Sequence, residues 1–258
     1  GNAMTFELVT IPCLQDNYAY LLHNSQDNTT LAVDVPEAQP ISDVLASKNW
    51  TLTHILLTHH HWDHVDGLAD LLKDHPAQVI GAQADADRLP PLQIAVSEGE
   101  TLELGSAQAH VFDVSGHTQN HIAVYIPDAK VVFTADSLMA LGCGRLFEGT
   151  PDQMWTSLSK LAQLPADTVV CSGHEYTAAN AEFAITIDPD NEALLQRKQD
   201  IAEKRAKGKA TVPSLLFLEL ATNPFLRAAD PKIRRHLGMM DATDAEIFTE
   251  IRKRKDNF

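Results

Sequence analysis

One short segment constrains this chain more than any other, and it reads Thr58-His59-His60-His61-Trp62-Asp63-His64. It follows an apolar strand predicted at 54–57 and leads into a helix predicted from residue 65. Four potential metal ligands, His59, His61, Asp63 and His64, fall within six residues. Imidazole and carboxylate bind zinc and other first-row metals, and loops at strand ends commonly carry functional sites. The segment therefore predicts a metal site rather than a solvated loop or the remnant of a tag.

The spacing inside this segment suggests two ligand subsets. His59 and His61 are two residues apart, so they point the same way in an extended chain. Asp63 and His64 come where the chain turns into the helix, and they are available to a second ion. By the same alternation, His60 and Trp62 are expected to point away and support the core.

Three further candidates, His117, Asp136 and His174, each follow a strand-like run and small residues. Each alone is equally well explained as a turn or capping residue. Together they repeat one pattern, which a site at one sheet edge would require. Seven ligands suit two metal ions, with Asp136 able to bridge them.

Hydrophobic patterning indicates mixed strands and helices up to about residue 176, and then helices alone. The helices are too few for strict β-α alternation, which favours layered sheets covered by helices over a doubly wound sheet. No convincing strand is predicted after Thr177. Strands are predicted at 6–12, 19–23, 30–35, 54–58, 78–82, 109–115, 121–126, 130–134 and 168–172, and helices at 41–48, 65–74, 152–164, 192–207, 214–222 and 244–255.

Composition narrows the choice of partners and compartment. Hydrophobic residues make up 44% and charged residues 21%, as in an ordinary globular protein. A formal charge of −15 opposes binding to nucleic acid or to an anionic membrane. No transmembrane run or secretory signal is recognised, and the three cysteines form no C-x-x-C pair. We therefore expect a cytoplasmic protein, and a monomer.

The ligand set resembles the metallo-β-lactamase superfamily of binuclear hydrolases. Other segments narrow the resemblance to the glyoxalase II, or hydroxyacylglutathione hydrolase, family, and it spans nearly the whole chain. These segments are Gly142-Cys143-Gly144-Arg145-Leu146-Phe147-Glu148-Gly149-Thr150, Gly173-His174-Glu175-Tyr176-Thr177, Asn223-Pro224-Phe225-Leu226-Arg227 and Arg252-x-x-Lys255-Asp256.

The resemblance implies an α+β fold, a four-layer αββα sandwich, with a C-terminal helical domain that helps bind glutathione. The catalytic domain would span 4–176 and the helical domain 177–258. Two divalent ions are implied, zinc first and iron or manganese as alternatives. The first would be held by His59, His61 and His117, the second by Asp63, His64 and His174, with Asp136 bridging; Asp63 and Asp136 are the expected catalytic residues. Substrate contacts would fall on Arg145, Phe147, Tyr176, Arg252 and Lys255.

Three positions depart from the family pattern without removing a ligand. Phe147 stands where tyrosine is common, so one hydroxyl contact is missing. Asp66 stands where glycine is frequent, and Gln119-Asn120 replaces a pair of small residues. These changes bear on metal preference and substrate affinity.

The implied activity is hydrolysis of S-2-hydroxyacylglutathiones, S-lactoylglutathione above all, to glutathione and a hydroxy acid such as D-lactate, the second step of methylglyoxal detoxification. A thiolate with a parent pKa of about 8.5 leaves without a dedicated acid, which fits a thioester better than an amide. Arg252 and Lys255 are three apart on the last predicted helix and so share a face that can meet glutathione's carboxylates.

Four other functions fit the sequence less well. A lactonase or β-lactamase-like hydrolase shares the ligands but not the helical tail. An iron dioxygenase acting on glutathione persulfide needs one redox metal, whereas Asp63 and His64 complete a second site. Nucleic-acid processing is disfavoured by the charge, and a non-catalytic binding module by the complete ligand set.

Overall fold

The computed structural model describes residues 5–258, which form two compact units. Unit 1 contains residues 5–113 and 120–135, and unit 2 contains residues 114–119 and 136–258. The segment 58–64 lies in unit 1, whereas His117, Asp136 and His174 lie in unit 2.

Unit 1 is built around a six-stranded sheet with the order β1-β2-β3-β4-β5-β6. The first three strands pair antiparallel, and β3 to β6 pair parallel. Strands β7 to β10 form an antiparallel ladder in sequence order. The elements are β1 (Phe6–Cys13), β2 (Asn17–Asn24), β3 (Thr29–Val33), α1 (Ala38–Lys48), β4 (His54–Leu56), α2 (Trp62–Val65), α3 (Leu68–Asp74), β5 (Gln78–Ala82), β6 (Ile94–Val96), β7 (Thr101–Leu104), β8 (Ala107–Asp113), β9 (Ile122–Ile126) and β10 (Val131–Ala135).

Helices α1 and α3 cover the parallel part of this sheet. Ile41 and Leu45 of α1, and Leu68 and Leu71 of α3, are buried in one core with Ile55 of β4. Spacings of three and four place each pair on one side of its helix. Burying such a side chain contributes about 2 kcal/mol, so this packing fixes the end of β4, where the ligand segment begins.

The helix predicted at 65–74 is in fact two helices, α2 and α3, separated at Gly67. There the chain runs against the segment that follows β3, and the Gly67 amide donates to the Val35 carbonyl at 2.9 Å. A Cβ at this position would lie 2.7 Å from the Glu37 Cα. The break therefore follows from a close backbone approach that periodicity does not reveal.

Unit 2 is mainly helical. The ranges of α4, α6 and α9 agree closely with the helices predicted at 152–164, 192–207 and 244–255. Among residues 5–258, no helix combines the length and the apolar character needed to cross a bilayer. The elements are β11 (Leu138–Met139), β12 (Gly142–Cys143), α4 (Pro151–Ala162), β13 (Val169–Ser172), α5 (Thr177–Ile187), α6 (Glu192–Ala206), β14 (Ser214–Leu215), α7 (Leu216–Thr222), α8 (Pro231–Leu237) and α9 (Asp244–Asp256).

The expectation of no strand after Thr177 is wrong at one place. Strand β14 pairs antiparallel with β13, so the helix predicted at 214–222 begins only at Leu216. Helix α5 was not predicted at all. Its residues are apolar and buried on several sides, so it has no amphipathic period.

The unit 1 sheet contains a buried histidine, His23, whose titration we expect to make the free energy of unfolding depend on pH. His23 of β2 contacts the Thr30 hydroxyl at 2.7 Å through Nδ1 and stacks on Trp50. Burial lowers the pKa of His23 below its ordinary 6.5. The negative charges of Glu7 and Asp27 act in the opposite direction but are smaller effects. The unfolded chain thus takes up this proton first as the pH falls. We expect this contribution to the free energy of unfolding to be complete above about pH 6.5 and to decrease below it.

Urea unfolding at about pH 7.5 and about pH 5.5 tests this expectation. His23→Gln should lose less stability across that interval than the unmodified protein. Asn24→Ala, a change at the next buried position of β2 that alters no titratable group, should keep the original pH dependence. Equal pH dependence in all three proteins would contradict the assignment to His23.

Candidate metal centre and anion-binding surface

The ligand segment of unit 1 lies between the end of β4 and the start of α2, where the parallel strand gives way to a helix. His59 and His64 are fully buried, and their rings lie 4.2 Å apart. A ring nitrogen of His59 and a ring nitrogen of His61, each a possible metal ligand, lie within 4.8 Å of one another. The His64 Nε2 atom is 3.6 Å from the Asp63 Oδ2 atom. All four predicted ligands of this segment therefore gather in one cluster.

A buried carboxylate at the end of β3 orients this cluster. Asp34 accepts hydrogen bonds from the Thr58 amide at 2.8 Å and from the Thr58 hydroxyl at 2.8 Å. Its Oδ2 atom also lies 2.7 Å from the His64 Nδ1 atom. This contact favours the proton on Nδ1, so Nε2 carries the lone pair that a metal needs.

The same logic extends to the neighbouring ligands. Thr58 gives its hydroxyl proton to Asp34, so its oxygen can accept the Nδ1 proton of His59 at 2.9 Å. Asn17 of β2 donates through Nδ2 to the carbonyl and to the carboxylate of Asp63, at 3.1 and 3.0 Å. Asn17 was missed by the sequence analysis, because an asparagine 46 residues away carries no local signal.

Unit 2 gathers its three predicted ligands in the same way. His117 follows β8, Asp136 follows β10 and His174 follows β13, and all three are buried. The Asp136 carboxylate lies 2.7 Å from His174 Nδ1 and 3.6 Å from His117 Nε2. The Nδ1 atom of His117 is 2.7 Å from the Arg145 carbonyl oxygen, which fixes the orientation of that ring.

The chemistry of these donors fits a pair of transition-metal ions. Five imidazoles and two carboxylates are supplied by the two clusters. Calcium and magnesium prefer oxygen ligands throughout, whereas this mixture suits zinc, iron or manganese. The His and Asp clusters of the chain therefore fit a binuclear metal site.

His60 and Trp62, which were both predicted to support the core, lie in different environments. Trp62 was expected to support the core, yet it is 64% exposed, so that expectation is wrong. It is the first residue of α2, where the helix has already replaced the alternation of an extended chain. His60 lies 3.5 Å from the buried Asp85 carboxylate and supports the loop on that side.

A very close backbone approach explains the second glycine of Gly142-Cys143-Gly144. A Cβ on Gly144 would lie 1.9 Å from the Asp136 carbonyl oxygen and 2.9 Å from the His117 Nδ1 atom. The Gly144 amide also donates to the Ser137 carbonyl at 3.0 Å. The hairpin β11–β12 thus returns the chain directly onto two candidate ligands, and only glycine fits there.

Unit 2 also carries a group of positive charges next to this hairpin. Partial burial, and then the charges of Arg252 and Arg145, lower the pKa of Lys255 below its ordinary 10.5. Asp256 partly offsets the charges, 2.8 Å from Arg252 and 3.9 Å from Arg145. Placing three cations close together is unfavourable unless an anion joins them, so this group forms a candidate anion site.

The predicted substrate contacts occupy different environments within unit 2. Phe147 and Tyr176 are exposed, and their rings lie against His117 and His174, respectively. Arg145 and Lys255 keep solvent access. Arg252 is only 4% exposed, and its Nη1 atom donates to the carbonyls of Cys143 and Gly144 at 2.9 and 3.3 Å.

The Asp34 carboxylate offers a direct test of ligand orientation. Asp34→Asn replaces one carboxylate oxygen by an NH₂ group. That group is a donor and would face the Thr58 amide and hydroxyl or the His64 Nδ1–H, which are donors as well. We expect a loss of about 10-fold to 100-fold in metal affinity, because partners of ligand histidines have effects of this size. Competition with a chromophoric chelator measures it. Asp43→Asn, at an exposed position of α1, is the control, and equal affinities would contradict the role of Asp34.

Gly144→Ala tests the close approach. The added methyl must displace the Asp136 backbone or the His117 ring, so metal affinity should fall at least about 10-fold. Gly208→Ala is the matched control, because it strains a backbone at φ 67° with no atom near the added Cβ. If both variants lose stability but bind metal with the same affinity, the close contact of Gly144 with Asp136 and His117 does not position these candidate ligands.

Comparison with known proteins agrees with this geometry. Residues 34–174 match the model of the metallo-beta-lactamase superfamily, and residues 175–258 match the model described as hydroxyacylglutathione hydrolase C-terminus. A curated hydroxyacylglutathione hydrolase from Ruegeria pomeroyi is 63% identical over 255 residues, covering 99% of this chain and 100% of the relative.

Two solved structures show the same fold. The crystal structure of ETHE1 from Myxococcus xanthus has a TM-score of 0.67 at 23% identity, over 96% of this chain and 89% of that one. The structure of TTHA1623 in a di-iron-bound form has a TM-score of 0.60 at 26% identity, over 85% of this chain and 100% of that one.

The expected fold is confirmed as the metallo-β-lactamase α+β sandwich with mixed sheets and a C-terminal helical region. With two family models that together cover residues 34–258, and with a relative of 63% identity along its full length, the chain belongs to the hydroxyacylglutathione hydrolase family of the metallo-β-lactamase superfamily.

Proposed function

We propose that this protein is a metal-dependent thioester hydrolase that cleaves S-2-hydroxyacylglutathiones, S-lactoylglutathione above all, to glutathione and a 2-hydroxy acid such as D-lactate. This is the second step of methylglyoxal detoxification. One observation carries the proposal beyond family membership. The Arg145 carbonyl lies against the ligand His117, while the Arg145 side chain belongs to the cationic group with Arg252 and Lys255. Arg145 therefore links the candidate metal ligands of unit 2 to the candidate anion site.

We propose further that the two ligand clusters act together on two ions. His59, His61 and His117 would hold the first, and Asp63, His64 and His174 the second, with Asp136 bridging. Zinc is the proposed metal, and iron and manganese accept the same donors. The number and type of donors support a pair, as does the di-iron form of the related TTHA1623.

Such ions, when bound, lower the pKa of water and polarise a carbonyl oxygen. The residues of the chain supply orientation and charge. Asp34 and Asn17 hold His64 and Asp63 in place, and the carbonyl of Arg145 holds His117. Asp63 and Asp136 are the proposed catalytic carboxylates. The leaving thiolate needs no proton donor, since its parent pKa is about 8.5.

The substrate would be bound mainly by unit 2. Arg145 and Lys255 would pair with the carboxylates of glutathione, and Phe147 and Tyr176 would pack against its backbone. Arg252 is bonded to the hairpin, so its proposed contribution to binding is the charge that it adds to the group.

Domain limits, assembly and location complete the proposal. Residues 4–176 would form the catalytic domain and residues 177–258 the glutathione-binding helical domain of a monomer. A cytoplasmic location is supported by Cys13, Cys143 and Cys171, which are buried free thiols.

Metal analysis combined with turnover of S-lactoylglutathione tests the activity. We expect two ions per chain and loss of the thioester absorbance, both abolished by exhaustive chelation and restored by added zinc. One iron per chain with oxygen consumption on a glutathione persulfide would instead indicate the dioxygenase. Absence of turnover with two ions bound would refute the proposed substrate.

Lys255 provides a test of substrate binding. Lys255→Ala should raise KM for S-lactoylglutathione about tenfold, with little change in kcat, because one charge-assisted contact is worth about 1.5 kcal/mol. Lys253→Ala is the control, since Lys253 lies exposed on the same helix. An unchanged KM in Lys255→Ala would remove Lys255 from the binding site.

A further inference from the structure

The segment Asn223-Pro224-Phe225 has no role in the proposed chemistry, although its first residue is completely buried. Asn223 Nδ2 donates to the carbonyls of Met139 and Gly142, at 3.0 and 3.1 Å. Its Oδ1 accepts from the Phe225 amide at 3.0 Å and so begins a short 3-10 helix. One amide side chain therefore joins the segment after α7 to both strands of the hairpin β11–β12.

This hairpin is the connection between two parts of the site in unit 2. Asp136 precedes it, and Gly144 and Arg145, which lie against Asp136 and His117, follow it. Its turn includes Leu141 in a left-handed conformation, at φ 56°. A residue other than glycine holds this conformation only where its surroundings impose it.

A second buried side chain from α7 holds the turn itself. The Glu219 Oε1 atom accepts from the Leu141 amide at 2.9 Å and lies 3.3 Å from Asn223 Nδ2. The other carboxylate oxygen accepts from Arg197 and Ser214, both at 2.6 Å. Both carboxylate oxygens of Glu219 are therefore hydrogen-bonded, and Asn223 is part of the same buried network.

The third contact uses the ring of Phe225. The Arg252 guanidinium lies over this ring, 5.2 Å from its centroid, and donates to the carbonyls of Cys143 and Gly144. Three consecutive carbonyls, those of Gly142, Cys143 and Gly144, thus accept hydrogen bonds from Asn223 or from the arginine that Phe225 supports.

We propose that Asn223 is a positioning residue for the metal centre: by fixing the hairpin β11–β12 it sets the placement of Asp136 and His117. Its amide bonds both strands of the hairpin, at Met139 and Gly142, whereas Glu219 bonds the turn at Leu141. Loss of its two donated bonds would leave the hairpin free to shift, and the tight fit of Gly144 on Asp136 would pass that shift to the ligands. The effect on catalysis rests on the proposed function, whereas the effect on metal binding does not.

Asn191 offers a closely matched control. It also begins a helix, since its Oδ1 accepts from the Leu194 amide at 3.1 Å, and its Nδ2 donates to the Ala221 carbonyl at 2.9 Å. Asn191→Ser and Asn223→Ser each keep a good capping residue and lose the bonds donated by the amide. Only Asn223→Ser alters the hairpin.

The experiment compares metal affinity and amide exchange in the two variants. Competition with a chelator should show at least about a tenfold loss of zinc affinity in Asn223→Ser and none in Asn191→Ser. In the metal-free proteins, hydrogen exchange of residues 136–147 should accelerate only in Asn223→Ser. Equal zinc affinity and equal exchange in the two variants would overturn the proposal.

If Asn223→Ser does not fold, the unmodified protein still decides the matter. In its metal-free form the Leu141 amide should exchange as slowly as the amides of α7, because both belong to one network. Fast exchange at Leu141 beside a protected α7 would overturn the proposal. Because no substrate is used, a protein that binds zinc without hydrolysing thioesters would refute the proposed activity alone.

Discussion

The ligand segment of unit 1 depends on one buried carboxylate. Asp34 directly follows β3, has a positive φ, and receives donors from Thr58 and His64. Since β3 and β4 are parallel neighbours, their carboxyl ends meet at one edge, and a side chain from the first strand reaches the loop after the second. The carboxylate offsets the desolvation of His64 and selects its tautomer at the same time.

Unit 2 orients His174 with a side-chain acceptor, the Asp136 carboxylate, and His117 with a backbone acceptor. The carbonyl of Arg145 orients His117, and the position of that carbonyl depends on the hairpin held by Asn223, Glu219 and Arg252. Arg252, which was expected to meet substrate, also has a structural role. It is buried, and its Nη1 atom donates to the carbonyls of Cys143 and Gly144.

Local patterns predicted much of this molecule. Residue spacing and strand ends predicted the long helices α4, α6 and α9. They also predicted that the side chains of 58–64 cluster, and that His117, Asp136 and His174 do so. What escaped prediction depends on distant contacts: the break at Gly67, the short strand β14, the evenly apolar α5 and the role of Asn17. The prediction for Trp62 was wrong because it applied the side-chain alternation of an extended strand to a residue that already belongs to α2. The grouping of Arg145, Arg252 and Lys255 was expected from the family resemblance and from their shared helix face, whereas the bonds of Arg252 to the hairpin were not.

Burial of the thiols has a consequence for a site that releases glutathione. Desolvation raises the pKa of Cys13 to about 11, that of Cys171 well above its usual value, and that of Cys143 despite the charge of Arg252. Thiol–disulfide exchange requires an accessible thiolate. Buried thiols that stay protonated are poor partners for exchange with oxidised glutathione, so the hairpin that carries Cys143 is shielded from mixed-disulfide formation.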